Sequence, residues 1–249
     1  MFGAWTPFVA LAGTLLPLLW IQRWITRHLQ ELSLRWVGDP DVALFVYFVL
    51  VLPGVVLHEL SHWLMAKLLG VRVSRLAIGP VRKGRSQRVS LGSVQVGKVD
   101  PVRASLIGLA PMLGATAVIL LIGNLVLGVD ELALALAGGA HQLAQRVEML
   151  VQVPDFWLWL YLIFSVSNAM LPSESDMSAI RPVLIFLGIA GAAFLFLGGV
   201  PAISPEVVDL AEAVAGYLAS AFGLTLAADV VFAAIIGLGI WITRQVQGW

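Results

Sequence analysis

Between Val42 and Leu57, and again from Ala104 to Leu127, the chain carries no charged side chain. Roughly 20 apolar residues in helix cross a hydrocarbon core of about 30 Å, so such runs point to helices immersed in a bilayer, where backbone polar groups are satisfied within their own segment. Six spans are expected: Pro7 to Ile25, Val42 through Leu57 to Gly70, Ala104 to Leu127, Phe156 to Leu171, Pro182 to Val200, and Leu224 to Thr243. The expected fold class is an all-α integral membrane protein, with about six transmembrane helices and a small β-rich loop between helices two and three. The composition agrees, with 59% hydrophobic residues and 12% charged ones. The N-terminus has neither a basic region nor a small-residue cleavage site ahead of its apolar run, so the first span is expected to be retained. Residues 1–249 read as one polytopic membrane domain.

The few charges are unevenly placed. Residues 71–103 carry Arg72, Arg75, Arg82, Lys83, Arg85, Arg88, Lys98 and Arg103 against the single acid Asp100, which marks this loop as cytoplasmic. With six spans, both termini are then also cytoplasmic, in a multi-pass protein expected in the plasma membrane of a prokaryote. The connections Arg23–Asp41, Gly128–Asp155 and Pro201–Gly223 fall on the far side. The latter two hold Asp130, Glu131, Glu148, Asp155, Glu206, Asp209 and Glu212 with Arg146 as their one fixed cation. Leu132–Val151 and Val207–Phe222 mix apolar and charged residues and read as amphipathic helices along that interface.

Within the basic loop, Val71, Val73, Leu76 and Ile78, then Val89, Leu91, Val94, Val96 and Val99, stand near strand alternation, with turns at Gly79-Pro80 and Gly84. A small sheet or pair of hairpins is expected; the alternative is a solvated basic loop resting on anionic headgroups. Overall, 15 Lys and Arg balance 15 Asp and Glu, so no basic field exists to gather nucleic acid. The lipid bilayer is the expected surrounding partner. Cysteine is absent, which excludes thiolate metal sites and leaves His, Asp and Glu for metal or acid–base chemistry.

Near the end of the second apolar run stands His58-Glu59-Leu60-Ser61-His62. Residues four apart share a helix face, so both imidazoles can reach one ion with Glu59 beside it, which is the zinc-protease spacing. Neutral imidazoles bind Zn2+, which activates water, and the glutamate accepts the proton as that water attacks a carbonyl. The competing reading is a hydrogen-bonded polar cluster between helices, although ionisable groups inside an apolar span are functional candidates by default. Pro53, five residues before His58, reads as either a kink or a packing feature.

A zinc site of this type needs a third protein ligand. His28 and His141 fall toward the opposite interface and read as interfacial polar residues. Glu174 and Asp176 lie where the fourth span returns to the side of His58 and His62, and both remain candidates on position alone.

Together, His58–His62 and the stretch Asn168-Ala169-Met170-Leu171-Pro172-Ser173-Glu174-Ser175-Asp176 resemble the site-2 protease family of intramembrane zinc metalloproteases. In that family a second motif runs from an Asn to a ligand Asp eight positions on, as Asn168 to Asp176 do here. The resemblance covers residues 42–182, with the Gly108, Pro111 and Gly114 run as the intervening span. It implies His58, His62 and Asp176 as ligands of one catalytic Zn2+, Glu59 as general base, and Asn168 as a catalytic residue positioning the substrate carbonyl or stabilising its oxyanion. The chain departs from the pattern in the position of Pro172 and in having Ser175-Asp176-Met177 where the family has Leu-Asp-Gly. These departures keep Glu174 open as a competing ligand, and Asn168 open as a helix-packing amide.

The function expected from the resemblance is hydrolysis of peptide bonds in or near transmembrane segments of protein or peptide substrates. A backbone edge in the basic loop would receive the unwound substrate as an added strand. The alternatives are a catalytically silent, metal-stabilised scaffold, for which a base beside the ligands has no use, and a metal transporter. Transport calls for ionisable residues along a route across the membrane, whereas Asp229 is the other acid within an apolar span.

Overall fold

The computed structural model describes residues 5–83, 88–129, 139–171, 173–197 and 204–247. Helix α1 (Thr6–Val37) is followed by α2 (Pro40–Leu68), the strands β1 (Val73–Lys83) and β2 (Arg88–Val96), and α3 (Pro101–Ile122). Then come a π-helical turn at Gly123–Leu127, α4 (Ala140–Val151), α5 (Phe156–Met170), α6 (Glu174–Phe196) and α7 (Pro205–Gln247). Among the described residues, four helices are long and apolar enough to cross a membrane: Thr6–Val37, Pro40–Leu68, Pro101–Leu127 and Pro205–Val246. The pair α4 and α5, bent by 97°, makes a fifth if counted as one span.

The boundaries depart from the six expected spans in three places. First, α1 runs on through Arg23 to Val37, where a connection was expected. Gln22, Ile25, Leu29 and Leu32 continue one buried stripe, which holds the extension against α7. Leu32 there packs so near the backbone that a Cβ at Gly239 would lie 3.1 Å away, and Trp36 Nε1 donates to Thr243 Oγ1 at 3.0 Å. Gly38, at φ 75°, closes the helix by donating to the Leu34 carbonyl at 2.8 Å.

Second, the expected interfacial helix Val207–Phe222 and the expected last span are one helix of 43 residues, about 65 Å long. Thr14 lies near Gly223, Leu32 near Gly239 and Trp36 near Thr243, so α1 and α7 run in the same sense. Their N-terminal ends share one end of the bundle, and their C-terminal ends share the other. The expectation of both termini on one side does not fit this arrangement.

Third, α6 does not turn back against α5. Leu160 and Ile163 of α5 cluster with Ile122 and Leu127, while further along, Asp176 of α6 meets Gly108 and Ala179 accepts from Ser105 at 3.0 Å. Helix α5 therefore runs antiparallel to α3, and the first turns of α6 pack at Gly108 and Ser105 near the start of α3. The expected helix from Leu132 is described from Ala140 onward; Asp130, Glu131 and Pro172 lie outside the described residues.

The basic loop forms an antiparallel hairpin, as its alternation predicts, with pairs from Val73↔Val96 to Lys83↔Arg88. The register shifts between Ile78 and Val81, around Gly79-Pro80, since proline has no N–H to give a ladder. Two aspartates that the sequence reading passed over cap helices. Asp39 accepts from the N–H groups of Asp41 and Val42 at the start of α2, and Asp100 from those of Val102 and Arg103 at the start of α3.

Candidate metal centre

Helices α2 and α5 lie side by side in parallel, and the contacts between them repeat at one sequence offset. Tyr161 Oη donates to the Leu50 carbonyl at 3.1 Å, the Gly54 N–H to Ser165 Oγ at 3.0 Å, and His58 Nδ1 to the Ala169 carbonyl at 2.7 Å. Each pair lies one helical turn beyond the last. Gly54 permits this approach, because a Cβ there would overlap the Ser165 carbonyl. Gly54 thus serves packing, and it brings the end of α5 beside the His58 motif.

Both imidazoles are oriented through Nδ1. His58 donates to Ala169, whose carbonyl belongs to the last turn of α5 and has no partner within that helix. His62 donates at 2.8 Å to the carbonyl of Ile107. Four residues beyond Ile107 stands Pro111, which has no N–H with which to close that helical bond. A carbonyl can only accept, so both Nδ1 atoms carry protons, which in a neutral ring leaves the lone pair on Nε2. These tautomers are the ones that metal-binding histidines adopt when a second partner fixes the ring.

The two Nε2 atoms are 3.1 Å apart. Asp176, from the first turn of α6, brings Oδ1 to 3.2 Å from His62 Nε2 and Oδ2 to 3.6 Å from His58 Nε2. With both rings neutral, two lone pairs and a carboxylate face one another, an arrangement that a bound cation relieves. Ligands placed around a tetrahedral ion with bonds of about 2.0–2.1 Å stand roughly 3.3–3.4 Å apart, a range that falls between the observed separations of 3.1, 3.2 and 3.6 Å. His58, His62 and Asp176 therefore form a group able to hold a metal ion. Ser173 steadies the carboxylate by donating to Oδ2 from its N–H at 2.8 Å and from Oγ at 2.6 Å.

Of the competing candidates, Glu174 is exposed at the rim and is not part of this group. His28 stacks on Trp24 and bonds the Trp24 carbonyl, and His141 bonds Gln145; neither approaches the centre. Glu59 is buried beside the two histidines and lines the same cleft, a space of about 930 Å³. Residues Ser90 to Val96 of β2 form one wall of it. Because the sheet has two strands and β1 occupies one side of β2, the other edge of β2 has no strand partner among the described residues.

Asn168 also lines the cleft, but its amide nitrogen faces inward. Nδ2 donates to the Phe164 carbonyl at 2.8 Å and lies 3.4 Å from both Ser167 Oγ and Asp229 Oδ1. Sequence reasoning did not connect Asp229 to the site; an acid in an apolar span with no partner on its own helix was the signal. Gln22, buried on α1 and donating to the Ser167 carbonyl at 2.9 Å, was likewise passed over.

No protein-family model matches this chain, and neither a curated protein nor a solved structure does.

Proposed function

We propose that this protein is an intramembrane zinc metalloprotease of the site-2 type, hydrolysing peptide bonds in or near transmembrane segments of its substrates. The observation that carries the reading is the convergence of two Nε2 atoms and the Asp176 carboxylate on one point beside Glu59. With both rings neutral this set offers acceptors alone, which suits a cation better than a buried structural cluster, where donors are matched to acceptors. His58, His62 and Asp176 would hold the ion. Zn2+ bound there supplies Lewis-acid activation of water and of the scissile carbonyl.

Glu59 accepts the proton of the attacking water and delivers it to the departing amine. The free edge of β2 binds the unwound substrate as an added strand, so that the backbone bonds lost with its helix are replaced. Asn168 holds the same segment from the α5 side of the cleft. The basic residues near the hairpin put this end of the bundle toward the cytoplasm, in the plasma membrane of a prokaryote. The bent α4–α5 pair counts as one broken span in this reading, which makes five passes instead of six.

The test is zinc analysis of the purified protein together with cleavage of a transmembrane reporter by wild type and Glu59→Gln. One zinc per chain and a loss of about 10³-fold or more in the variant are expected. Equal cleavage by the two proteins would exclude the hydrolase reading and leave a metal-stabilised scaffold.

A further inference from the structure

Asp229 is fully buried in α7, yet it takes no part in the metal centre. An acid at such a position is disfavoured unless it serves a defined task. Its Oδ1 accepts from Ser167 Oγ at 2.8 Å, and the same oxygen stands 3.4 Å from Asn168 Nδ2. From α1, Gln22 holds the Ser167 carbonyl, and one turn earlier Phe164 stacks on Phe232 of α7 with ring centres 4.1 Å apart. The last turn of α5 is therefore gripped from one side by α1 and α7, and from the other by His58 through Ala169.

Three consecutive residues of that turn have three tasks. Ser167 is the anchor, Asn168 faces the cleft, and the Ala169 carbonyl orients a metal-binding imidazole. The direction of the Asn168 carboxamide follows from its neighbours. The Phe164 carbonyl can only accept, so the atom beside it is Nδ2, and Asp229 Oδ1 faces the same nitrogen. The carboxamide oxygen is the end left over for the cleft.

We infer that Asp229, acting with Ser167, is a positioning residue that fixes Asn168 with its carboxamide oxygen toward the cleft, where it accepts a backbone N–H of the extended substrate. This rests on the proposed hydrolase reading. It assigns α7, a helix that supplies no metal ligand, to substrate binding. Because the interaction is made with substrate and transition state alike, its loss raises KM with little change in kcat.

The experiment measures cleavage of a transmembrane reporter peptide in detergent by wild type, Asp229→Leu, Asp229→Asn, Asn168→Ala and the Asn168→Ala/Asp229→Leu double variant, with zinc content determined for each. Asp229→Leu is expected to raise KM about tenfold with kcat within about twofold and zinc retained. Asp229→Asn keeps an oxygen for Ser167 and stays within about threefold of wild type. Asn168→Ala raises KM similarly, and the double variant is no worse than Asn168→Ala, since both changes remove one interaction. A lowered kcat at unchanged KM in Asp229→Leu, or effects that multiply in the double variant, overturns the inference. Should Asp229→Leu not fold, Ser167→Ala takes its place; it is expected to raise KM several-fold, roughly the loss of one hydrogen bond, and an unchanged KM overturns the inference. Cleavage that does not depend on Glu59 defeats the hydrolase reading itself, whereas Glu59-dependent cleavage with KM unmoved defeats only the role of Asp229.

Discussion

Gly92 of β2 lies directly against Glu59: a Cβ at position 92 would stand 2.6 Å from both Cγ and Oε1 of that side chain. The neighbour in the way is the far end of a flexible side chain, so the strand can stay while the carboxylate yields. Gly92→Ala is therefore expected to leave folding and metal content near wild type and to reduce cleavage by about 10- to 100-fold, through a misplaced base. Thermal unfolding, zinc analysis and reporter cleavage on the same preparation check this. Full activity in Gly92→Ala would mean that Glu59 has room to spare.

Asp176 and Glu174 separate by metal affinity. Asp176→Asn removes the anionic ligand and is expected to weaken zinc binding by about 100-fold or more. Glu174→Gln, at the exposed rim, is expected to leave it unchanged. Competition against a chelating dye measures both, and the reverse order would move the third ligand to Glu174.

At Gly54 the obstruction is backbone. Gly54→Ala would push its new methyl into the Ser165 carbonyl, which cannot rotate aside. Helices α2 and α5 must separate, at a cost of about 1–3 kcal/mol, and His58 would lose its bond to Ala169. A lowered unfolding temperature accompanied by weaker metal binding is expected from calorimetry and dye competition. An unchanged unfolding temperature would show that the two helices tolerate a wider spacing.

Asp100 governs a pH effect outside the apolar spans. Hydrogen bonds from the Arg103 backbone, then the charge of Arg103 and the Val102 N–H, hold its carboxyl below the ordinary carboxylate range. A depressed folded value means that its contribution is present above the unfolded value and is lost as pH falls through the folded one. The unfolding temperature of Asp100→Ala should lie below that of wild type at pH 7, with the gap closing as pH drops below about 4. A gap that widens in acid would contradict the capping role.

What could be read from the residues was the part encoded locally. The His58–His62 spacing fixes a shared helix face, and an apolar run with strand alternation on a turn signal fixes the hairpin. The eight-residue step from Asn168 placed Asp176 by resemblance, and the geometry set it apart from Glu174. What escaped was set by contacts between distant helices. Nothing local in Arg23–Val37 says that Leu29 and Leu32 find α7, so a helix was read as a connection. The seat of the first turns of α6 depends on Ser105 and Gly108 of α3, and the partner of Asp229 is Ser167. One long-range feature did have a written sign: Pro111 opens the carbonyl of Ile107, and an open carbonyl inside a span requires a donor from elsewhere.

His62 answers that opening, as His58 answers the open end of α5. Each ring thus fastens a neighbouring helix with one nitrogen while offering the other to the ion. Removal by a chelator of a metal held there would leave these two fastenings in place, whereas replacing either ring would undo one of them. A cation bound by this group would then be free to leave and return without the bundle coming apart.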